Sequence, residues 1–211
     1  MLPPRQSATS LDGTWSFVAD PDRRLDPEIL PDGVPITVPG AWEAQLPEPQ
    51  GIVRGWYQRR FRLPDDARPG RLGLRFGAAL RSTRVWLDGR RVGEQEDGFL
   101  PFELDAGPSE PGAEHHLVVA VENPFNDLAR FPAFDPSDWA AIDARLGGPP
   151  LAELRAGKQT WYGSTSGLLG PVSADLLPEV HLAGLTFRPD ADGGSRQRLG
   201  RRRSRLYPQT V

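Results

Sequence analysis

The chain has 211 residues, of which 38% are hydrophobic, and this length and composition allow one sizeable core and favour one main domain. It contains no cysteine, which excludes a disulfide framework, a thiolate metal site and a thiol nucleophile. No apolar run is long enough for a membrane span, and residues 1–10 have no apolar core of a secretory signal, so we expect a cytoplasmic protein without membrane contacts.

The charge is distributed unevenly along the chain. The formal net charge is −3, yet residues 193–211 contain six arginines and no acidic residue, so residues 1–192 carry a net charge of −9. An acidic body offers no general electrostatic attraction to nucleic acid or to anionic lipid. We therefore do not expect either of these partners for the body of the chain.

Short segments of alternating apolar and polar residues occupy the first half of the chain. After a flexible arm at residues 1–10, Leu11–Asp20 places Trp15 and Phe17 two residues apart, which is typical of a strand with one aromatic face. Stretches rich in proline, glycine and aspartate separate this segment from the next ones. Three further segments are predicted to be extended: Ile36–Trp42, Trp56–Pro64 and Arg71–Ala79.

The strongest local signal is a β-hairpin within Val85–Leu104. Asp88 and Gly89 stand between alternating apolar residues, and an Asp-Gly pair favours a type I′ turn, in which both residues have positive φ. Such a turn fixes the register of the strands on either side. A second turn follows, after which Phe99 and Phe102 are predicted to carry the chain back across the core.

The second half of the chain completes the predicted architecture. Glu114–Asp127 contains a β-branched run that predicts a central strand, which Pro124 must end. The stretch 128–158 is irregular apart from one predicted helix at 137–146, and strands resume up to Asp190. About eight to ten short strands, little helix and no internal repeat indicate an all-β fold, an antiparallel β-sandwich of jelly-roll type.

Seven stretches, in chain order, resemble one protein family. They are LDGTWSF, VPGAW, WYQRRFRLP, RLGLRFGA, VWLDGRRVGEQEDGFLPFELD, VVAVEN and GKQTWYGSTSGLLGPV. Together they resemble the N-terminal sugar-binding domain of glycoside hydrolase family 2, the β-galactosidases, β-glucuronidases and β-mannosidases. The resemblance implies a jelly-roll, galactose-binding-like domain over residues 11–190. Ser166–Val172 departs from the family pattern, because it lacks the tryptophan and arginine common there, so contacts made through those two side chains are not carried over.

The resemblance also indicates which parts of the family's enzymes are missing here. Those enzymes continue into an immunoglobulin-like domain and a TIM barrel, whose two glutamates hydrolyse the glycosidic bond, and this chain has no stretch long enough for the barrel. The family's acid/base glutamate follows an asparagine, whereas Glu122 precedes Asn123. We therefore predict no catalytic residue, and we expect the chain alone to be an inactive fragment of a retaining β-glycosidase.

Candidate sugar contacts lie in two stretches of the chain. In the family, a loop of this domain reaches the mouth of the active site, and the matching loop here offers Asn123, Asn126 and Asp127 as hydrogen-bonding partners for sugar hydroxyls. Trp161 and Tyr162 could stack on the apolar face of a sugar ring. The structural alternatives are that Asn and Asp beside a proline form turns, and that a Trp-Tyr pair is partly core.

The histidines do not suggest a metal site. His115 and His116 are adjacent and would point to opposite faces of a strand, His181 is distant in sequence, and there is no cysteine to complete a site. We therefore predict neither a metal nor a cofactor.

The basic end of the chain, residues 191–211, is predicted to be a disordered tail. It is either a basic arm for nucleic acid or the product of a reading frame lost near Asp190 in an arginine-biased gene, and we favour the second interpretation.

Three functions compete for the chain as a whole. The first is the sugar-binding sandwich of a family 2 β-glycosidase, the second is a free-standing carbohydrate-binding module, and the third is an interaction domain that uses the arginine tail. The expected partners are a β-glycoside, bound weakly at most, and a catalytic domain in full-length relatives. Apolar surface left uncovered by that domain would favour self-association.

Overall fold

The computed structural model describes residues 8–49, 51–96, 98–123, 126 and 165–178, together with the backbone of 180–189 and 195–203. These residues form fourteen strands and include a short 3-10 helix. In chain order the elements are β1 (Thr9–Ser10), β2 (Gly13–Asp20), β3 (Val34–Val38), η1 (Trp42–Ala44), β4 (Arg54–Arg62), β5 (Gly70–Phe76), β6 (Ala79–Leu80), β7 (Ser82–Leu87), β8 (Arg90–Gln95), β9 (Phe102–Ser109), β10 (Glu114–Glu122), β11 (Gly167–Leu168), β12 (Val172–Leu177), β13 (Val180–Pro189) and β14 (Ser195–Arg203).

Two antiparallel sheets form a β-sandwich. The larger sheet has six strands in the order β3-β2-β4-β10-β7-β8, and the smaller has four in the order β1-β12-β5-β9. Two further two-stranded sheets, β6 with β11 and β13 with β14, complete the described strands. All of these pairings are antiparallel, which confirms the predicted all-β sandwich.

The hairpin of β7 and β8 turns at the predicted dipeptide. Asp88 has φ 51° and Gly89 has φ 78°, the positive values that a type I′ turn requires. The turn pairs Leu87 with Arg90, and a bulge between Val85 and Trp86 shifts the register farther along the strands. The two turn residues thus place β8 as an edge strand of the larger sheet.

The main core lies between the two sheets. Trp15 and Phe17 of β2 face inward, as their spacing predicts, and are 2% and 1% exposed. Both rings contact Tyr57 of β4, with centroids 6.4 Å from Trp15 and 5.0 Å from Phe17 in edge-on geometry. Such aromatic pairs contribute about 0.5–1.5 kcal/mol each beyond the burial of their area. The smaller sheet supplies Leu74 and other buried residues from its inner face.

Strand β10 is central in the larger sheet, in agreement with its β-branched sequence. It pairs along its length with β4 and over its second half with β7. Val119 and Val121 face the main core, whereas Val118 and Ala120 face a second apolar cluster on the outer side of the sheet. Both faces of the strand are therefore buried. The strand ends at Glu122, before the proline predicted to stop it.

The second cluster covers part of the outer face of the larger sheet. Trp56 and Trp86 lie with ring centroids 5.4 Å apart, and Leu25 and Leu30 from the loop after β2 pack against them. Asp20 fixes that loop, because its carboxylate accepts the amide N–H of Arg24, at 2.8 Å, and of Leu25, at 3.2 Å, as well as Trp56 Nε1–H at 3.0 Å. The loop is thereby held on the sheet surface.

Two sequence-based expectations differ from the structure. Phe99 does not cross the core but is 53% exposed, and only Phe102 stacks inward, on Phe76, with centroids 4.8 Å apart. The basic tail was expected to be disordered, yet Ser195–Arg203 forms β14 and pairs with β13. The backbone N–H and C=O groups of this segment pair with those of β13, so the strand forms although its side chains follow no apolar pattern. The helix predicted at 137–146 lies outside the described residues, and the domain boundaries at 10 and 190 stay predictions.

Candidate functional site

The end of β10 begins a buried polar cluster, which we call the asparagine hub. It consists of Asn123, Asn126, Ser166 and Glu43. The Asn123 amide N–H donates to the Val53 carbonyl at 2.8 Å, which continues the sheet by one residue. The Asn126 N–H donates to the Asn123 carbonyl at 3.1 Å, which turns the chain. Asn123 is fully buried and Asn126 is 4% exposed.

Ser166 is the common acceptor of the two asparagine side chains. Its Oγ accepts a hydrogen bond from Asn123 Nδ2 at 2.8 Å and from Asn126 Nδ2 at 3.2 Å. Asn126 Nδ2 also donates to the Ile52 carbonyl at 2.8 Å. Because buried amides are costly without partners, these bonds hold the chain at residue 126 against the chain at residue 166.

Glu43 joins the hub from η1. Its Oε2 accepts the Ser166 amide N–H at 2.9 Å, and its Oε1 lies 3.5 Å from Asn126 Nδ2. The Trp42 N–H donates to the Ser166 carbonyl at 3.1 Å. η1 is therefore bonded through both backbone and side chain to the segment that enters β11.

Gly167 permits the close approach of this segment to the core. Its φ is +119°, a value that residues with a side chain rarely adopt. A Cβ at this position would lie 2.6 Å from Tyr57 Oη and 3.0 Å from the Gly40 carbonyl oxygen. Burial raises the pKa of the Tyr57 hydroxyl, the nearby Glu43 carboxylate adds to the effect, and the Leu168 backbone opposes it, so Tyr57 remains neutral.

The structure brings together only some of the predicted sugar contacts. Asn123 and Asn126 share the hub, but both side chains are buried and bonded to other protein groups. Asp127, Trp161 and Tyr162 lie outside the described residues. A sugar contact by any of these five side chains stays a prediction. Sequence reasoning missed Ser166 and Glu43, for which the only signal was the Ser-Gly pair of a family-like stretch.

Glu122, next to the hub, is held in an ion-pair network on the outer face of the larger sheet. Its Oε1 lies 2.7 Å from Arg23 Nε, and its Oε2 accepts hydrogen bonds from Arg54 Nη2 at 2.9 Å and from Arg84 Nη2 at 3.3 Å. The Glu122 side chain is 16% exposed. Three guanidinium groups around one carboxylate make this residue a structural anchor of the strand end.

Two other features that would indicate a function are absent from the described residues. In this part of the chain, no group of three or more His, Cys, Asp or Glu side chains is placed to hold a metal ion. Among the described residues, no helix is long and apolar enough to cross a bilayer.

Comparison with protein families decides the relationship. Residues 8–129 match the family model described as glycosyl hydrolases family 2, sugar binding domain. The match spans more than half of the chain and ends just after the hub asparagines. The chain belongs to glycosyl hydrolase family 2. The family resemblance is thereby confirmed, and six of the seven sequence stretches lie within the matched residues.

Relatives of this family 2 chain include several glycosidases. It is 34% identical to a β-glucuronidase of Paenibacillus borealis over 141 residues, which cover 60% of this chain and 23% of the relative. It is 32% identical to the β-glucuronidase of Canis lupus familiaris over 154 residues, covering 58% of this chain and 23% of the relative. It is 31% identical to the β-galactosidase BgaC of Bifidobacterium adolescentis over 164 residues, covering 55% and 15%. The chain thus spans less than a quarter of the length of these three relatives.

Solved structures share the fold of the family 2 chain. A β-glucuronidase of Faecalibacterium prausnitzii aligns with a TM-score of 0.64 at 24% identity, covering 95% of this chain and 37% of that one. The β-glucuronidase of Ruminococcus gnavus in complex with D-glucuronic acid aligns with a TM-score of 0.67 at 21% identity, covering 95% and 36%. At these identities the likeness establishes the fold alone.

Proposed function

We propose that the chain is the non-catalytic sugar-binding domain of a family 2 retaining β-glycosidase, in which a catalytic barrel outside this sequence performs the hydrolysis. The observation that carries the proposal is the match of residues 8–129 to the family's sugar-binding domain. The proposal keeps the cytoplasmic location expected from the sequence.

In this proposal the asparagine hub positions the sugar contacts instead of making all of them. Asn126 Nδ2 donates a hydrogen bond to Ser166 Oγ at 3.2 Å, so residues 126 and 166 lie side by side in the hub. Asp127, Trp161 and Tyr162 belong to the intervening chain. We assign them the contacts with the sugar, whereas the buried amides of Asn123 and Asn126 hold the two ends of that chain together.

We propose a β-glucuronoside as the substrate class of the whole enzyme. Support comes from relatives: both the bacterial and the mammalian proteins with more than 30% identity include β-glucuronidases. A domain that supplies only part of a pocket should bind sugar weakly, with a Kd above about 10 mM, a binding free energy weaker than about 3 kcal/mol.

The test combines binding with a chimaera. Amide chemical shifts of the free chain would be followed by NMR during titration with methyl β-D-glucuronide and methyl β-D-galactoside. In the chimaera, residues 8–178 would replace the corresponding domain of the Paenibacillus borealis enzyme, and kcat/KM for 4-nitrophenyl β-D-glucuronide would be measured. We expect little binding by the free chain and activity in the chimaera, reduced by Asp127→Ala but unaffected by Asp66→Ala at an exposed position.

The competing function is a free-standing carbohydrate-binding module. Saturable binding by the free chain at about 1 mM or tighter, together with an inactive chimaera, would favour it over the proposal. An inactive chimaera without any sugar binding by the free chain would contradict both functions.

We also propose that the free chain self-associates through apolar surface that a catalytic domain would cover. Phe99 and Leu100 are 53% and 58% exposed. They lie beside β6, since the Ala79 N–H of that strand donates to the carbonyl of Gly98, the residue before Phe99, at 3.2 Å. Size-exclusion chromatography should show oligomers whose proportion falls in Leu100→Ser. A monomer at every concentration would contradict this.

A further inference from the structure

Three side chains at the start of β10 are arranged as a hydrogen-bonded relay. Ser109 Oγ lies 2.9 Å from His115 Nε2, and His115 Nδ1 lies 2.7 Å from Asp88 Oδ2. A serine on one ring nitrogen and a carboxylate on the other is the connectivity of a Ser-His-Asp triad, which is recognised by geometry and not by chain order. We call this arrangement the serine relay.

The partners of Asp88 set the direction of the relay. Burial alone would raise the pKa of the Asp88 carboxyl, but hydrogen bonds from the His116 amide and the His115 ring outweigh it, so the pKa is held below its ordinary value. The ionised carboxylate can only accept, so His115 Nδ1 carries the hydrogen and donates it. Nε2 is then an acceptor, and the Ser109 hydroxyl donates to it.

The fold holds each member in place. Asp88 sits in the rigid type I′ turn, and its Oδ1 accepts the His116 N–H at 2.8 Å. His115 lies in β10 with its ring 5.5 Å from the Phe61 ring, and its side chain is only 11% exposed. Ser109 is the last residue of β9 and is partly exposed.

The relay is separate from the asparagine hub. His115 and Asn123 lie at opposite ends of β10, eight positions apart, which corresponds to about 27 Å along a strand. The relay is therefore distinct from both the asparagine hub and the ion pairs of Glu122.

We propose that Ser109 is an activated nucleophile that accepts acyl groups from small activated esters, with His115 as its general base and Asp88 as the positioning residue. Ser109 Oγ forms a bond to the carbonyl carbon of the ester and passes its proton to His115 Nε2. The C–O bond to the leaving alcohol or phenol breaks, and the leaving oxygen takes the proton from His115. Water then attacks the acyl-serine by the same route, releasing the carboxylic acid and restoring Ser109.

We expect Ser109 to be acylated faster than the acyl-serine is hydrolysed. The relay supplies the activated nucleophile and the base, whereas fast hydrolysis also requires donors aimed at the oxyanion, each worth about 10²–10³-fold in rate. We therefore expect a burst of product, one equivalent per chain, followed by slow release.

The test uses the full chain with 4-nitrophenyl acetate. Release of 4-nitrophenolate would be followed by absorbance, and peptide mass spectrometry would locate the acetyl group. We expect acetyl on Ser109, no burst in Ser109→Ala, and acetylation about 100-fold slower in His115→Gln, the usual contribution of a general base. Ser82→Ala, which removes a serine bonded to Glu96 instead of to histidine, should leave the burst unchanged.

Asp88→Asn tests the positioning role. Asparagine tolerates the positive φ of the turn and can still accept the His116 N–H, so the hairpin should persist, which circular dichroism would verify. Without the carboxylate, the acetylation rate at saturating ester should fall while the ester concentration that gives half of this rate stays unchanged, a split that a purely structural role would not cause. Acetyl found only on Lys158 or on the amino terminus, or equal rates in wild type, Ser109→Ala and His115→Gln, would overturn the proposal.

Discussion

Replacing Gly167 by alanine should destabilise the sandwich at the segment that enters the asparagine hub. Its φ of +119° costs a residue with a side chain about 1–3 kcal/mol. The new Cβ would also lie 2.6 Å from Tyr57 Oη and 3.0 Å from the Gly40 carbonyl, and overpacking of this kind costs about 1–3 kcal/mol. The free energy of unfolding should therefore fall by about 2–6 kcal/mol.

Gly89→Ala is the matched control for the backbone strain. Gly89 has φ +78° in the exposed hairpin turn, and a Cβ there would meet nothing within 4 Å. Only the conformational cost of about 1–2 kcal/mol is then expected. The larger loss in Gly167→Ala then reports mainly the steric contribution, about 1–3 kcal/mol, which for a chain of this size corresponds to a difference in Tm of about 2–12 °C.

Urea denaturation followed by tryptophan fluorescence and far-UV circular dichroism would measure both variants. Combining Gly167→Ala with Tyr57→Phe removes the oxygen nearest the new methyl group, so part of the steric loss should be recovered, while the contact with the Gly40 carbonyl remains. Equal destabilisation by Gly167→Ala and Gly89→Ala would refute the reasoning, because it would mean that no close contact exists at residue 167.

Three further changes test the polar clusters. Ser166→Ala removes the acceptor of two buried amides and should lower the free energy of unfolding by about 1–3 kcal/mol in urea denaturation, whereas Ser173→Ala on the smaller sheet should change it little. Glu122→Ala leaves three partly buried arginines without this shared carboxylate and should cost about 1–3 kcal/mol, with a smaller loss for Glu122→Gln; an unchanged midpoint would contradict the anchoring role. Burial, reinforced by the charge of Arg60, lowers the pKa of His116 although Asp88 opposes the shift. The unfolded chain therefore binds a proton at this residue more readily, and stability should decline as the pH falls below about 6.5. Thermal melts of His116→Gln should lack that part of the decline.

The sandwich was predictable because its signals are local. The alternation of Trp15 and Phe17 requires only a strand with one inward face, and the Asp88-Gly89 turn requires only two residues that tolerate positive φ. The same reasoning failed for Phe99, which directly follows a glycine turn, since an aromatic residue in a loop can face solvent without disturbing the strands around it.

The asparagine hub could not be derived from local signals. Asn123 and Asn126 flank a proline in a sequence typical of an ordinary turn, and nothing nearby shows that their side chains are buried. Their partner Ser166 lies 43 and 40 residues away, and Glu43 lies 123 residues from Ser166. Only the packing of the sandwich brings these segments together, so the burial of the Asn123 and Asn126 side chains could not be read from the residue types.

The two ends of β10 are the places where polar side chains of this strand find partners. The middle of the strand is apolar on both faces, since Val119 and Val121 pack into the main core and Val118 and Ala120 into the outer cluster. A polar side chain in that middle would be buried without partners and would cost several kcal/mol. At the ends, turns and loops from distant parts of the chain supply partners, so both the serine relay and the asparagine hub sit where the strand emerges. The apolar centre that specifies the fold thereby also determines where a functional residue can be placed.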